Sequence, residues 1–162
     1  MNRMHRISSF GDRSGARGRV RLTFRDAQTG LILDRVVADN LIVKVGRTLQ
    51  LELLNGGALT PITHVAVGTG STAPVAGNTT LETELSRIAI ASFDESGYSQ
   101  EPPWWMAEAQ FSTSQANGTL TEIGLFTASV GGTMYGRATF ADKVKTSSQT
   151  LDIQYQVFHA AG

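Results

Sequence analysis

A glycine-broken turn, a handful of carboxylates and three histidines are the residues of this chain whose types and spacing invite chemistry. Gly68-Thr69-Gly70-Ser71-Thr72-Ala73 follows a β-branched run containing Ile62, Val65 and Val67. It matches the opening of a dinucleotide fingerprint, in which glycines let backbone approach a pyrophosphate at a helix start. That chemistry needs the helix to begin at the second glycine. Pro74 and Gly77 fall where its first two turns would run, and no βαβ alternation follows, so the segment reads as a connector between strands. Glu82 and Glu84 are two residues apart and diverge on a helix, so they do not make an acid–base pair. Thr79-Thr80-Leu81-Glu82 gives Glu82 instead the reciprocal-cap pattern of a short helical turn. Glu122 lies in an apolar strand, where a buried carboxylate needs a cation such as Arg87 or Arg137. His5, His64 and His159 are scattered, and neither His-x-x-x-His nor Asp-x-Asp-x-Asp spacing occurs for zinc or calcium. His64 reads as a half-buried, hydrogen-bonded strand residue. The serines keep turn-like company, with no Gly-x-Ser-x-Gly elbow. No cysteine is present, so neither a disulfide framework nor a thiolate metal site is available. The expectation is a protein that is not an enzyme, with no catalytic residue, cofactor or metal.

What remains is chemistry suited to partners. Seven of the fourteen basic residues, Arg3, Arg6, Arg13, Arg17, Arg19, Arg21 and Arg25, precede residue 26, against one acid, Asp12. Residues 1–18 are rich in Ser, Gly and Arg, with Ile7 and Phe10 as the sizeable apolar anchors besides methionine. Such a composition does not bury enough surface to order itself. It is either a disordered tail or a basic arm that orders against a partner, with Phe10 as a plug and Arg3, Arg6, Arg13 and Arg17 on acidic surface. Trp104 and Trp105 are adjacent and must face opposite sides of a strand. Trp105 belongs with Ala107, Ala109 and Phe111, while Trp104 is either capped by its own loop or contacts a neighbouring subunit. The partner-binding candidates are therefore Arg3, Arg6, Phe10, Arg13, Arg17, Trp104 and Trp105.

The 162 residues suit one domain with an arm. A hydrophobic content of 41% supports a core, and 17% charged is below the roughly 25% of an average soluble protein, in keeping with a surface meant to be covered by neighbours. The formal net charge is zero, and the basic arm lacks interleaved aromatics, which argues against nucleic acid. No apolar run is long enough to span a membrane, and the amino terminus lacks the apolar core of a signal peptide. Synthesis in a cytoplasm follows.

The elements that must position these residues are mostly strands. Val20, Leu22 and Phe24 alternate with arginines over residues 19–25, and a turn at residues 26–30 opens a hairpin into residues 31–37 and 41–43. Residues 45–55 change period: Val45, Leu49, Leu53 and Leu54 form a helical stripe expected to lie on a sheet face, stopped by Gly56-Gly57. Strands are expected at residues 87–93 and 107–114, and Asn117-Gly118 has the chemistry of a type I′ hairpin leading into residues 119–126. Gly131-Gly132 turns into residues 134–140. Leu151, Ile153, Tyr155 and Val157 mark the last strand. The sum is a mainly β fold, an antiparallel sandwich of about eight strands over residues 19–162 with one α-helix packed on it, preceded by an extended arm, residues 1–18.

Ile62-Thr-His-Val-Ala-Val-Gly-Thr-Gly, then Pro74, then Thr80-Leu-Glu-Thr-Glu-Leu-Ser-Arg, then Glu122-Ile-Gly-Leu-Phe, then Gly132-Thr-Met-Tyr-Gly-Arg-Ala-Thr-Phe resembles the amino-terminal domain of phage tail-collar fibre proteins. Similar segments occur in small phage structural proteins. The resemblance covers about residues 60–141, with the segments in the same order. It implies a virion component made in the host cytoplasm that anchors a fibre or decorates the particle. Its expected partners are copies of itself, a trimer first, and other virion proteins. The family's domain leads into a long repetitive shaft, whereas this chain ends at Gly162 and adds residues 1–43 ahead of the matching region. Both departures favour a tail, collar or baseplate adaptor, with a capsid decoration protein as the rival. A carbohydrate-binding module would need Trp104 or Trp105 as an exposed platform for a host glycan.

Overall fold

Alternating apolar residues build nine strands and one helix in the computed structural model, which describes residues 15–58 and 60–160. In chain order these are β1 (Gly15–Asp26), β2 (Ile32–Ile42), α1 (Lys44–Leu54), β3 (His64–Gly68), β4 (Glu84–Ala89), β5 (Ser92–Asp94), β6 (Trp104–Phe111), β7 (Gly118–Phe126), β8 (Met134–Lys145) and β9 (Gln149–Ala160). All pairings are antiparallel, and the strands form one row, β4-β3-β7-β8-β2-β1-β9-β6-β5. The two packed sheets expected from the sequence are joined because β2 serves both halves. It pairs with β1 along most of its length and with β8 at Leu41 and Ile42.

β4 and β5 are consecutive in the chain yet stand at opposite ends of this row. Only Ile90 and Ala91 separate them, a link that spans about 10 Å at most. The row must therefore curl until its ends are neighbours. Two successive amides show this closure. The Ile90 N–H donates to Thr63 O beside β3 (2.9 Å), and the Ala91 N–H donates to Glu108 O of β6 (2.8 Å). The expected continuous strand over residues 87–93 is thus two short strands with a crossing between them. The product is a curled half-barrel around a main core, to which β1 gives Val20, Leu22 and Phe24, β7 gives Leu120, Ile123 and Leu125, and β9 gives Leu151, Ile153 and Tyr155, with a smaller cluster of Val43, Ala66, Leu81, Phe126 and Met134 apart from it.

Asn117-Gly118 does not make a two-residue hairpin. β6 pairs with β5 and β9, β7 pairs with β3 and β8, and residues 112–117 carry the chain from one half of the sheet to the other. Positive φ falls on Ala116 (55°) and Gly118 (139°), and Asn117 works through its side chain, donating from Nδ2 to Thr113 O (2.8 Å). The buried Lys145 secures the same crossing, donating from Nζ to Ser112 O (2.7 Å) and to Asn117 Oδ1 (3.0 Å). Gly131 and Gly132 do form the β7–β8 turn, with φ of 62° and 71°. The first strand begins at Gly15, so residues 15–18, assigned to the arm from composition, belong to β1.

Candidate functional site

The central loop, residues 69–83, is fastened by one carboxylate. Glu122 stands on β7 with no solvent exposure. Its Oε1 accepts from the N–H groups of Gly70 (3.0 Å) and Thr83 (2.8 Å). Its Oε2 accepts from the Glu82 N–H (3.0 Å) and from Arg137 Nε (2.9 Å). Two donors on each oxygen saturate the group, which is how a buried charge is tolerated. Arg137, buried on β8, also donates from Nη1 to Asn78 Oδ1 (3.2 Å), and its Nη2 lies 3.5 Å from Glu82 Oε2. Glycine is required at 68 and 70 by space: a Cβ at either position would come within 2.6 Å of Glu122 Oε1. Of the two cations expected for Glu122, Arg137 is the partner. Arg87 grips Glu84 through Nε (2.9 Å) and Nη2 (2.6 Å), donates from Nη1 to Ala128 O and Gly131 O, and lies 3.7 Å over the Phe126 ring.

This wiring engages several of the groups in which the sequence invited chemistry. The Gly70 N–H is committed to Glu122 and the Thr69 N–H to Thr83 O (2.9 Å), so neither of these amides is left for a phosphate. The expected helical turn at Thr79-Thr80-Leu81-Glu82 does not form. Glu82 reaches across the loop, accepting from the N–H and Oγ1 of Thr72 (3.0 Å each). Those two Thr72 bonds hold the Glu82 carboxyl below its ordinary range, with Arg137 adding to the effect. His64 is half-buried beside Thr63 Oγ1 (2.8 Å). Among the described residues no group of three His, Asp or Glu side chains is placed to hold a metal ion.

Of the partner candidates, Arg3, Arg6, Phe10 and Arg13 lie outside the described residues. Arg17 is exposed on β1, in register with Phe158. Trp105 faces the core, with ring centroids 5.8 Å from Phe93 and 6.2 Å from Tyr135. Trp104 faces outward and is half-buried under a 3-10 turn, Ser96–Ser99; a Cβ on Gly97 would come within 2.0 Å of the indole. The two tryptophans are thus on opposite faces and do not form one site. The open side of Trp104 borders a shallow depression of about 210 Å³ with Arg19, Arg21, Val37, Met106 and Gln156. Both β1 arginines there are engaged across strands, Arg19 with Asp39 (3.0 Å) and Arg21 with Gln154 (3.3 Å), as is Arg25 farther along β1 with Asp152 (2.6 Å).

A surface missed in the sequence lies on α1. The helix docks through Gly46 and Leu49: a Cβ on Gly46 would stand 2.1 Å from Tyr135 O, so the backbones are in direct contact. Gln50 Nε2 donates to the Tyr135 hydroxyl (2.7 Å). Leu53 and Leu54, expected on the sheet, point into solvent, as does Leu51. Val45 and Leu49 of the expected stripe do pack inward, but the close approach at Gly46 leaves Leu53 and Leu54 outside, where they line a groove with Leu51. The sequence matches no family model and no curated protein.

Proposed function

We propose that this chain is a non-enzymatic structural protein of a bacteriophage virion, an adaptor or fibre-anchoring component of the tail, collar or baseplate. It is made in the host cytoplasm and assembles with copies of itself, as a trimer, and with other virion proteins. One observation carries the reading. The segments through which the sequence resembles tail-collar fibre domains meet at the Glu122–Arg137 pair: Gly68-Thr69-Gly70, Glu82 and Thr83, Glu122 on β7 and Arg137 on β8. Residues distant in sequence thus form one rigid brace with its donors and acceptors consumed internally, as a building block requires and a catalyst does not. Leu31, Leu33 and Val37, more than half exposed on the β1–β2 hairpin, offer apolar surface for self-association. The basic segment ahead of β1 ties each copy to its neighbour. The cover over Trp104 weighs against a carbohydrate platform.

The test is immunolabelling of phage particles released from cells that carry the gene, with light scattering of the purified protein for its oligomeric state. Label at the tail, collar or baseplate supports the reading. Label over the head supports capsid decoration instead, and purified particles free of label overturn the virion role.

A further inference from the structure

The outer face of the sheet carries a surplus of hydrogen-bond donors around Thr23. The apolar residues of β1 face the core, so Arg21, Thr23 and Arg25 share the opposite face. Thr23 is in register with Arg35 of β2 on one side and Asp152 of β9 on the other, each about 5 Å away. Arg21 and Arg25 stand about 7 Å off along the strand. All five residues line one depression of about 360 Å³, with Glu108, Gln110 and Gln154. Its two carboxylates are already satisfied. Asp152 accepts on separate oxygens from Arg25 Nε (2.6 Å) and Gln110 Nε2 (2.7 Å), and Glu108 from Ser92 Oγ (3.1 Å) and Gln154 Nε2 (3.1 Å). The donors are not. Arg21 reaches Gln154 Oε1 (3.3 Å), which is neutral, and the Arg35 guanidinium has no acceptor among the described residues. Neither has the Thr23 hydroxyl, although Thr23 is 6% exposed. We propose that this depression binds a carboxylate presented by an acidic segment of a partner protein, with Arg21 and Arg35 gripping its oxygens and Thr23 donating from its hydroxyl.

Charge decides the ligand class. Three guanidiniums meet two carboxylates in the lining, which leaves one positive charge over and balances a single carboxylate. A phosphate group with close to two negative charges would face Asp152 and Glu108 with one of them unbalanced. The planar guanidinium fork also matches a carboxylate with two parallel bonds. The lining is polar and spans β2, β1, β9 and β6, unlike the enclosed, mainly apolar clefts that hold small molecules. The carboxylate is therefore one carried on a protein surface. The inference names a partner chemistry for this face and does not need the virion role.

The test follows the arginine Nε–H signals of the isotope-labelled full-length protein by NMR at low ionic strength, as a capped peptide of four glutamates is added. The signals of Arg21 and Arg35 are expected to shift saturably, while that of Arg47, exposed on α1, stays in place. Arg35→Gln should weaken binding about tenfold, and Thr23→Val, which keeps size and β-branching, about threefold. Arg35 is exposed, so its replacement leaves the fold intact, and the backbone amide spectrum checks the same for Thr23→Val. Arg47→Gln should bind as the parent does. Inorganic phosphate that saturates the same signals at a lower concentration than the peptide would overturn the carboxylate assignment. Absence of a saturable shift, or equal weakening by Arg47→Gln, would overturn the site, and full affinity in Thr23→Val would remove the hydroxyl from it. Because the readout is taken on isolated protein, failure here is separate from failure of virion labelling.

Discussion

Arg137→Met, Glu122→Leu and the double substitution test whether the Glu122 carboxylate holds the central loop through its backbone bonds or only balances a charge. Arg137→Met removes the Nε donor 2.9 Å from Oε2 and leaves a buried carboxylate with the three amides of Gly70, Glu82 and Thr83. Breaking a buried pair costs about 3–5 kcal/mol, and the remaining amides place this case near the lower end, about 3 kcal/mol. Glu122→Leu orphans three N–H groups at about 1 kcal/mol each. It also strands a buried guanidinium that keeps Asn78 and Glu82 as partial partners, for a total of about 5–6 kcal/mol. The double substitution removes both charges but still orphans the amides, and should settle about 3 kcal/mol below the parent. Exchanging a buried pair for apolar side chains is often neutral or stabilising, so the double variant is the discriminating one. Urea unfolding followed by circular dichroism reads the result. At about 2 kcal/mol/M, Arg137→Met and the double variant lose about 1.5 M in midpoint and Glu122→Leu about 2.5–3 M, with slopes unchanged. A double variant as stable as the parent would refute the reasoning, because the amides would then owe nothing to the carboxylate.

Three further outcomes are expected. Gly46→Ala gains about 1 kcal/mol of helix propensity but drives a Cβ to 2.1 Å from Tyr135 O. The net effect is a loss of about 1–2 kcal/mol in thermal melts, and a gain would mean that α1 does not dock there. Gly97→Ala, made alongside Trp105→Phe so that Trp104 alone reports, should lift the 3-10 turn and give a red-shifted, more readily quenched fluorescence. An unchanged spectrum would place the indole elsewhere. In alkali the three tyrosines should separate. Burial lifts Tyr135 to about 12 and raises Tyr155 as well; Tyr98, 58% exposed, is also raised, by partial desolvation and by Glu95. The folded-state values lie above the ordinary 10.0, so this stability is intact below pH 10 and is lost as pH rises toward 12. Lys145, lowered by burial, acts oppositely as its own ordinary value is approached, one group against the buried tyrosines. Absorbance at 295 nm should show Tyr98 titrating first and the other two only as circular dichroism is lost; all three ionising in a folded chain would refute this.

Where local pattern decides structure, the sequence was readable. The alternation in β1 and β9, the helix stop at Gly56 (φ 82°) and the Gly131-Gly132 turn follow from period and backbone freedom alone. Arg137 was one of two cations that a buried Glu122 could need. What escaped was set by pairing at long range. Asn117-Gly118 has hairpin chemistry, but β6 and β7 belong to different halves of the sheet, so the turn signal was spent on a crossing. The run over residues 87–93 reads as one strand by composition; the separate acceptors of the Ile90 and Ala91 amides, Thr63 O and Glu108 O, divide it. Glu82 satisfied a helix-cap pattern, yet a closer acceptor role for Thr72 was waiting across the loop. In α1 the period was right and Val45 and Leu49 face inward as expected, but Leu53 and Leu54 do not, because Gly46 sets the contact with Tyr135.

These misses share a cause that bears on function. A curled sheet whose ends must meet has crossings between its halves, and buried polar groups secure the crossings: Lys145 holds residues 112–117, and Glu122 with Arg137 holds residues 69–83. Donors and acceptors that sequence motifs would assign to ligands are thereby spent on closure. Closure leaves apolar surface over. The leucines of α1 and the apolar residues of the β1–β2 hairpin are such surfaces, lying toward opposite ends of the twelve-residue β1. In the virion role proposed above these two apolar regions are the contacts with neighbours, and the saturated Glu122–Arg137 brace is what keeps the shape of the block that carries them.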